Sequence, residues 1–130
     1  INAAILAVRD DPRIGRKPVL CQETCVETAV SGEREAYYLL AELSGSIINF
    51  IAQAHHVRGG KSFGSPGTLE YLGLKRFNPE NEGHRKLSEL GRELYDGTAG
   101  ADLTERIDRV SAELRGISEA DVARMRERVV

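Results

Sequence analysis

Cysteine is scarce in this chain, and long apolar runs are absent. Two cysteines among 130 residues, Cys21 and Cys25, are too few for a disulfide framework. They stand four positions apart in a segment that reads as extended, a separation too wide to bridge easily. A closed zinc site needs about four ligands, and no second cluster of Cys or His completes the set, so no metal is expected. Both thiols are expected to be reduced, half-buried strand residues of a cytoplasmic protein. No stretch approaches the roughly 18 consecutive apolar residues that cross a bilayer, which gives no reason to expect a membrane partner. No signal peptide is visible and the first residue is Ile1 rather than Met, so the chain is expected to be a piece of something longer.

Positive charge is also in short supply overall, with a formal net charge of −2, but it is unevenly spread. Residues 1–53 carry 5 basic and 7 acidic side chains, residues 54–76 carry 4 and 1, and residues 77–130 carry 9 and 12. The middle stretch is the positive one: Arg58, Lys61, Lys75 and Arg76 stand against Glu70, with His55 and His56 able to add charge below about pH 6.5. A local cationic patch on an acidic body suits a polyanion; a solvated loop with a few cations is the plainer reading.

The patch contains "HHVRGGKSFGSPG", His55 to Gly67, whose Gly60-Lys61-Ser62 matches the end of a nucleotide-binding P-loop. The full pattern, G-x-x-x-x-G-K-[ST], needs glycine where His55 stands and a strand where a helical pattern precedes it. What remains is a glycine-rich cationic loop.

What is present in quantity suits a folded domain: 41% hydrophobic and 29% charged residues, at a length that fits one domain with a real core. "AAILAV" at 3–8 and the alternating "KPVLCQETCVETAV" at 17–30 predict two or three strands, with "RDDPRIGR" as the turn between them. Ser31 is expected to cap a helix with Glu33 and Glu35 in its first turn. Ser44-Gly45-Ser46 should break that pattern into two helices, 33–43 and 46–57. "TLEYLGLKRF" predicts a strand or extended edge, ended by Asn78-Pro79.

Leu87, Leu90 and Leu94 mark a helix near 81–95, and Leu103, Ile107, Val110 and Leu114 mark another ended by Gly116 as a left-handed cap. Ser118 and Asp121 form a capping box for a last helix, whose Arg124, Arg126 and Arg128 complement its C-terminus. The fold class is α+β: a small N-terminal β-sheet packed with five or so helices and a helical C-terminal half. Residues 1–80 form the α+β part and 81–130 the helical part of one unit.

Three segments in order, "EREAYYLLAELSGSIINFI", "GGKSFGSPGTLEYLGLKRFNPENEGHRKLSELGREL" and "ERIDRVSAELRGISEADVARM", resemble the C-terminal region of bacterial adenine-specific DNA methyltransferases of restriction-modification systems. That family shows a helix of the type "EAYYLLALLNSS", a glycine-containing loop, "IPIPKFDP", a helix with "HxxLAxLS" and an ending like "VxELYGLTxEE". Here "SG" replaces "NS", "LGLKRF" replaces "IPIPKF" and "ELRGIS" stands for "ELYGLT".

The resemblance implies a target-recognition and helical segment, with residues 1–80 the recognition-like part. Its parent would use S-adenosylmethionine to methylate adenine after flipping the base from the duplex. The family's catalytic loop has Pro-Pro, and the four prolines here, Pro12, Pro18, Pro66 and Pro79, are all isolated. The chain is therefore expected to carry no catalytic residue, to bind no cofactor and to be inactive alone. The expected partners are double-stranded DNA and the methyltransferase domain of the same parent chain, which could also carry an endonuclease. Arg58 and Lys61 are the first choices for DNA contact, Ser62 and Ser65 for positioning hydrogen bonds, and Lys75 and Arg76 for flanking phosphates.

Two other readings stand beside this one. The leucine stripes of 81–130 could dock a partner subunit or domain without DNA contact. His55, His56 and His84 with Glu82 or Asp96 could form acid–base groups of a small enzyme, though no nucleophile, base and orienting group share a recognisable spacing.

Overall fold

The computed structural model describes residues 1–19, 21, 25–55 and 67–129. Among the described residues the chain is α+β, with a two-stranded antiparallel sheet and six helices, and the regular elements of its C-terminal half are helices.

The strands are β1 (Arg9–Asp11) and β2 (Gly15–Lys17), and they lie inside the stretch expected to be only a turn. Pairing runs Arg9 to Lys17, Asp10 to Arg16 and Asp11 to Gly15. The Asp11 carboxylate accepts the N–H groups of Arg13 at 2.8 Å and Ile14 at 3.2 Å, which closes the loop. Gly15 follows at φ 74°, the left-handed position that a three-residue hairpin loop requires.

The expected strand at 3–8 does not form, and among the described residues of the expected strand at 17–30 only Lys17 is paired. Alternation predicts a strand only where one face has something to cover, and here Leu6, Val8, Val19 and Val30 stay exposed. Cys21 and Cys25 are likewise exposed and lie in irregular backbone, not half-buried in a strand. Among the described residues, the hairpin packs against none of the helices.

The helical body begins with α1 (Glu33–Ser44), which has Glu33 and Glu35 in its first turn. Its cap position is Gly32, not Ser31; the Ser31 N–H instead donates to the Glu35 carboxylate at 2.6 Å. As expected, α1 stops at extended Gly45 and the chain restarts as α2 (Ser46–Ala54).

The expected strand after the glycine-rich loop is instead α3 (Gly67–Tyr71), a short helical turn, followed by backbone without a ladder. Leu69 and Leu72, three apart, pack with Ile48 and Ala52, a helical spacing that the apolar composition had concealed.

Three helices follow: α4 (Glu82–Asp96), α5 (Leu103–Arg115) and α6 (Glu119–Arg128). Asn81 caps α4, Gly116 at φ 66° ends α5, and Ser118 accepts from the Asp121 N–H to start α6. Pro79 belongs to the turn before α4 rather than to the helix itself, with the Asn81 N–H donating to the Asn78 carbonyl at 3.1 Å.

The main core joins Tyr38 and Ala41 of α1 to Leu87 and Leu90 of α4 and to Leu103 and Ile107 of α5. It crosses the line between residues 80 and 81, so both sequence parts share one interior. Each fully buried leucine contributes about 1.5–3 kcal/mol, and Leu87 is completely enclosed. Gly91 allows the closest approach, because a Cβ there would sit 1.9 Å from the Tyr37 carbonyl oxygen. A second cluster fixes α6 through Ile47, Ala112 and Val122.

Two carboxylates are buried at the joint between α1 and α2. Glu42 receives both arms of the Arg115 guanidinium, at 3.1 and 2.6 Å. Asp108 accepts the Ser46 N–H at 2.7 Å and the Arg126 Nε at 2.7 Å. Asp108 therefore caps α2 from a different helix. Arg126, expected only to complement the end of its own helix, ties α6 to α5.

Candidate nucleic-acid interface

Arg58, Lys61, Ser62 and Ser65, together with His56, lie outside the described residues. Lys75 and Arg76 are described, and both are exposed. They occupy irregular backbone between Gly73, at φ 61°, and Asn78.

That backbone is held from below. The Tyr38 hydroxyl donates to the Lys75 carbonyl at 3.0 Å, and the Asn78 N–H donates to His84 Nδ1 at 3.0 Å. His84 stacks on Tyr38 with ring centres 4.7 Å apart, and Phe77 packs against both rings. Two adjacent cations thus project from a strip whose backbone is tied to α1 and α4, so a polyanion meeting them does not have to order that backbone.

Burial holds the His84 pKa below its ordinary value, with Lys75 and Arg115 adding to the effect and Glu42 opposing it. With Nδ1 accepting from Asn78, the neutral ring carries its proton on Nε2. Burial, followed by the charge of Glu42, pushes the Tyr38 hydroxyl up to about 12. Both groups hold their positions as neutral hydrogen-bonding partners.

Two further arginines border the strip. The Arg34 guanidinium lies 5.7 Å from the Phe77 ring centre, and Arg85 donates to the carbonyls of Pro79 at 3.0 Å and Glu80 at 3.2 Å. The sequence gives no signal for Arg34, which is over forty positions from Phe77; Arg85 is closer but sits in an acidic segment. Among the described residues, neither Lys75 nor Arg76 forms an ion pair.

Described residues on either side of the stretch 56–66 meet. His55 closes α2, Tyr71 closes α3, and their rings stack 5.2 Å apart at an interplanar angle of 15°. Tyr71 is a residue that sequence reasoning missed, because it was assigned to a strand; its position as the first aromatic after the glycines was the available signal.

The proposed acid–base set is dispersed. His84 is buried in the aromatic stack, His55 pairs with Tyr71, and Glu82 and Asp96 pair with Lys86 and Arg92 at opposite ends of α4. Among the described residues, no group of three or more His, Cys, Asp or Glu could hold a metal ion, and no helix is long and apolar enough to cross a membrane.

The leucines that suggested docking face inward. Leu87 and Leu90 lie in the main core, and Leu94, Val110 and Leu114 pack against it. A hollow of about 500 Å³ is lined by residues 1–5 with Leu40, Ser44, Leu94 and Tyr95.

Compared with protein-family models, curated proteins and solved structures, the chain matches none.

Proposed function

We propose that this chain is the DNA-recognition segment of an adenine-specific DNA methyltransferase or fused restriction-modification enzyme, without the catalytic core. The observation that carries this reading is the ordered resemblance of three segments, covering most of residues 31–130, to the C-terminal region of such enzymes. The exposed Lys75–Arg76 pair supports it, since two cations on a braced strip suit successive phosphates. In the parent enzyme, the methyl donor and the reacting adenine belong to the other domain. This segment supplies register on the DNA, with Arg58 and Lys61 in the glycine-rich stretch as the residues that approach the duplex.

Fluorescence anisotropy with labelled duplex DNA, at low and moderate salt, tests the proposal on the wild type and the Arg58→Ala/Lys61→Ala variant. Salt-sensitive binding that is lost in the variant is expected. Absence of binding to any duplex at low salt would contradict it and leave a helical module that docks on a partner domain.

A further inference from the structure

Tyr71 is 61% exposed, although one face of its ring is stacked on His55. A tyrosine ring offers a large flat π-face on which another ring can stack. The residues around it hold it in place. Leu72, the next residue, is 1% exposed and packs with Ile48 and Ala52, which fixes the backbone from below. His55 then limits the ring from one side.

The surroundings indicate the partner's chemistry. Tyr95, the other exposed tyrosine, packs against Tyr37, whose hydroxyl is raised above its ordinary value first by burial and then by the charges of Glu33 and Asp96. That neighbourhood repels a polyanion. Tyr71 instead precedes Lys75 and Arg76 by four and five residues. Four residues reach at most about 14 Å, and each nucleotide of a duplex strand advances about 3.4 Å along the helix axis, so ring and cations address the same few nucleotides.

We infer that the open face of Tyr71 is a stacking surface for a nucleobase, so that this edge takes nucleic acid presenting an unstacked base in preference to an unbroken duplex. The inference rests on the DNA-recognition reading and specifies the form of DNA that the site prefers. His55, Tyr71 and the incoming base form one stack, while Lys75 and Arg76 hold the adjoining phosphates. Stacking of this kind tolerates any base, because every base has a π-face.

The test uses the whole chain and three fluorescein-labelled probes of one sequence: a perfect duplex, the duplex with one bulged base, and the single strand. The wild type should bind the bulged and single-stranded probes about tenfold tighter than the perfect duplex. Tyr71→Leu should lower affinity for the bulged and single-stranded probes towards that for the perfect duplex, removing the preference, and Tyr71→Phe should restore it. His55→Ala should retain most of it, with thermal melting used to check the fold of each variant.

Equal loss in His55→Ala and Tyr71→Leu would overturn the inference, making the ring pair a clamp on the backbone. Unchanged preference in Tyr71→Leu, with weaker binding of all probes by Lys75→Ala/Arg76→Ala, would overturn stacking and leave the DNA reading intact. No binding of any probe would overturn both.

Discussion

Charge does opposite work at two places in this molecule. At the joint between α1 and α2, Glu42 and Asp108 are buried and each is gripped by an arginine from a later helix. On the strip at Lys75 and Arg76, the cations are exposed, and the structure beneath them is aromatic and neutral. The first arrangement fixes how helices meet, because a buried carboxylate is tolerated only where its partner stands. The second leaves two cations exposed and in no ion pair among the described residues. Whether a charge holds the helices together or stays open to solvent depends here on its burial and pairing; composition alone does not distinguish the two.

The largest effect should come from breaking the joint. Arg115→Met leaves Glu42 buried with the Ser111 hydroxyl as its remaining hydrogen-bond partner among the described residues, and should lower unfolding free energy by about 3–5 kcal/mol in urea titrations. Adding Glu42→Leu should recover most of that loss, because an apolar pair of similar volume is often neutral in such a place. A double variant as unstable as the single one would mean that the charges do more than tolerate each other.

Gly91→Ala sharpens the same contrast on the apolar side. Its methyl group would have to displace the α1 backbone at Tyr37, a cost of about 1–3 kcal/mol visible as a lower melting temperature.

The strip's support should respond to acid. The unfolded chain takes up a proton on residue 84 near pH 6.5, whereas burial of His84 resists protonation in the folded state. Its contribution to stability is therefore complete above pH 6.5 and is lost as pH falls through that value towards the lower folded pKa. Chemical denaturation at pH 7.5 and 5.5 should show the fall, and His84→Phe should flatten it although it removes the Asn78 hydrogen bond.

A surface pair should matter least. Arg106 meets Glu93 through two hydrogen bonds, but both side chains are more than a third exposed. Arg106→Ala should cost no more than about 0.2–1 kcal/mol, as measured by urea unfolding.

The helical half was legible in the sequence because its signals are local. Ser44-Gly45-Ser46 announces the break, Gly116 the end of α5 and Ser118 the start of α6, and each depends on neighbours within a turn. The sheet was legible as a small N-terminal element but not in its position. Its strands flank Pro12–Ile14, where Asp11 and Gly15 set the turn, while the alternating residues nearby have no face to cover. The joint was hidden for another reason: Glu42 lies far along the chain from Arg115, as Asp108 does from Ser46. At the candidate site, charge counts brought out Lys75 and Arg76, but Arg34 and the Tyr71–His55 stack depend on tertiary packing.

The central claim is that the strip's cations serve DNA and not the fold, and one variant measured two ways tests it most directly. Lys75→Ala/Arg76→Ala should unfold within about 0.5 kcal/mol of the wild type. In duplex-DNA titrations, the slope of log affinity against log salt should become shallower by about 1.8, which is 0.9 for each lost phosphate contact. A variant with the wild-type salt slope, or one whose stability collapses, would contradict the account.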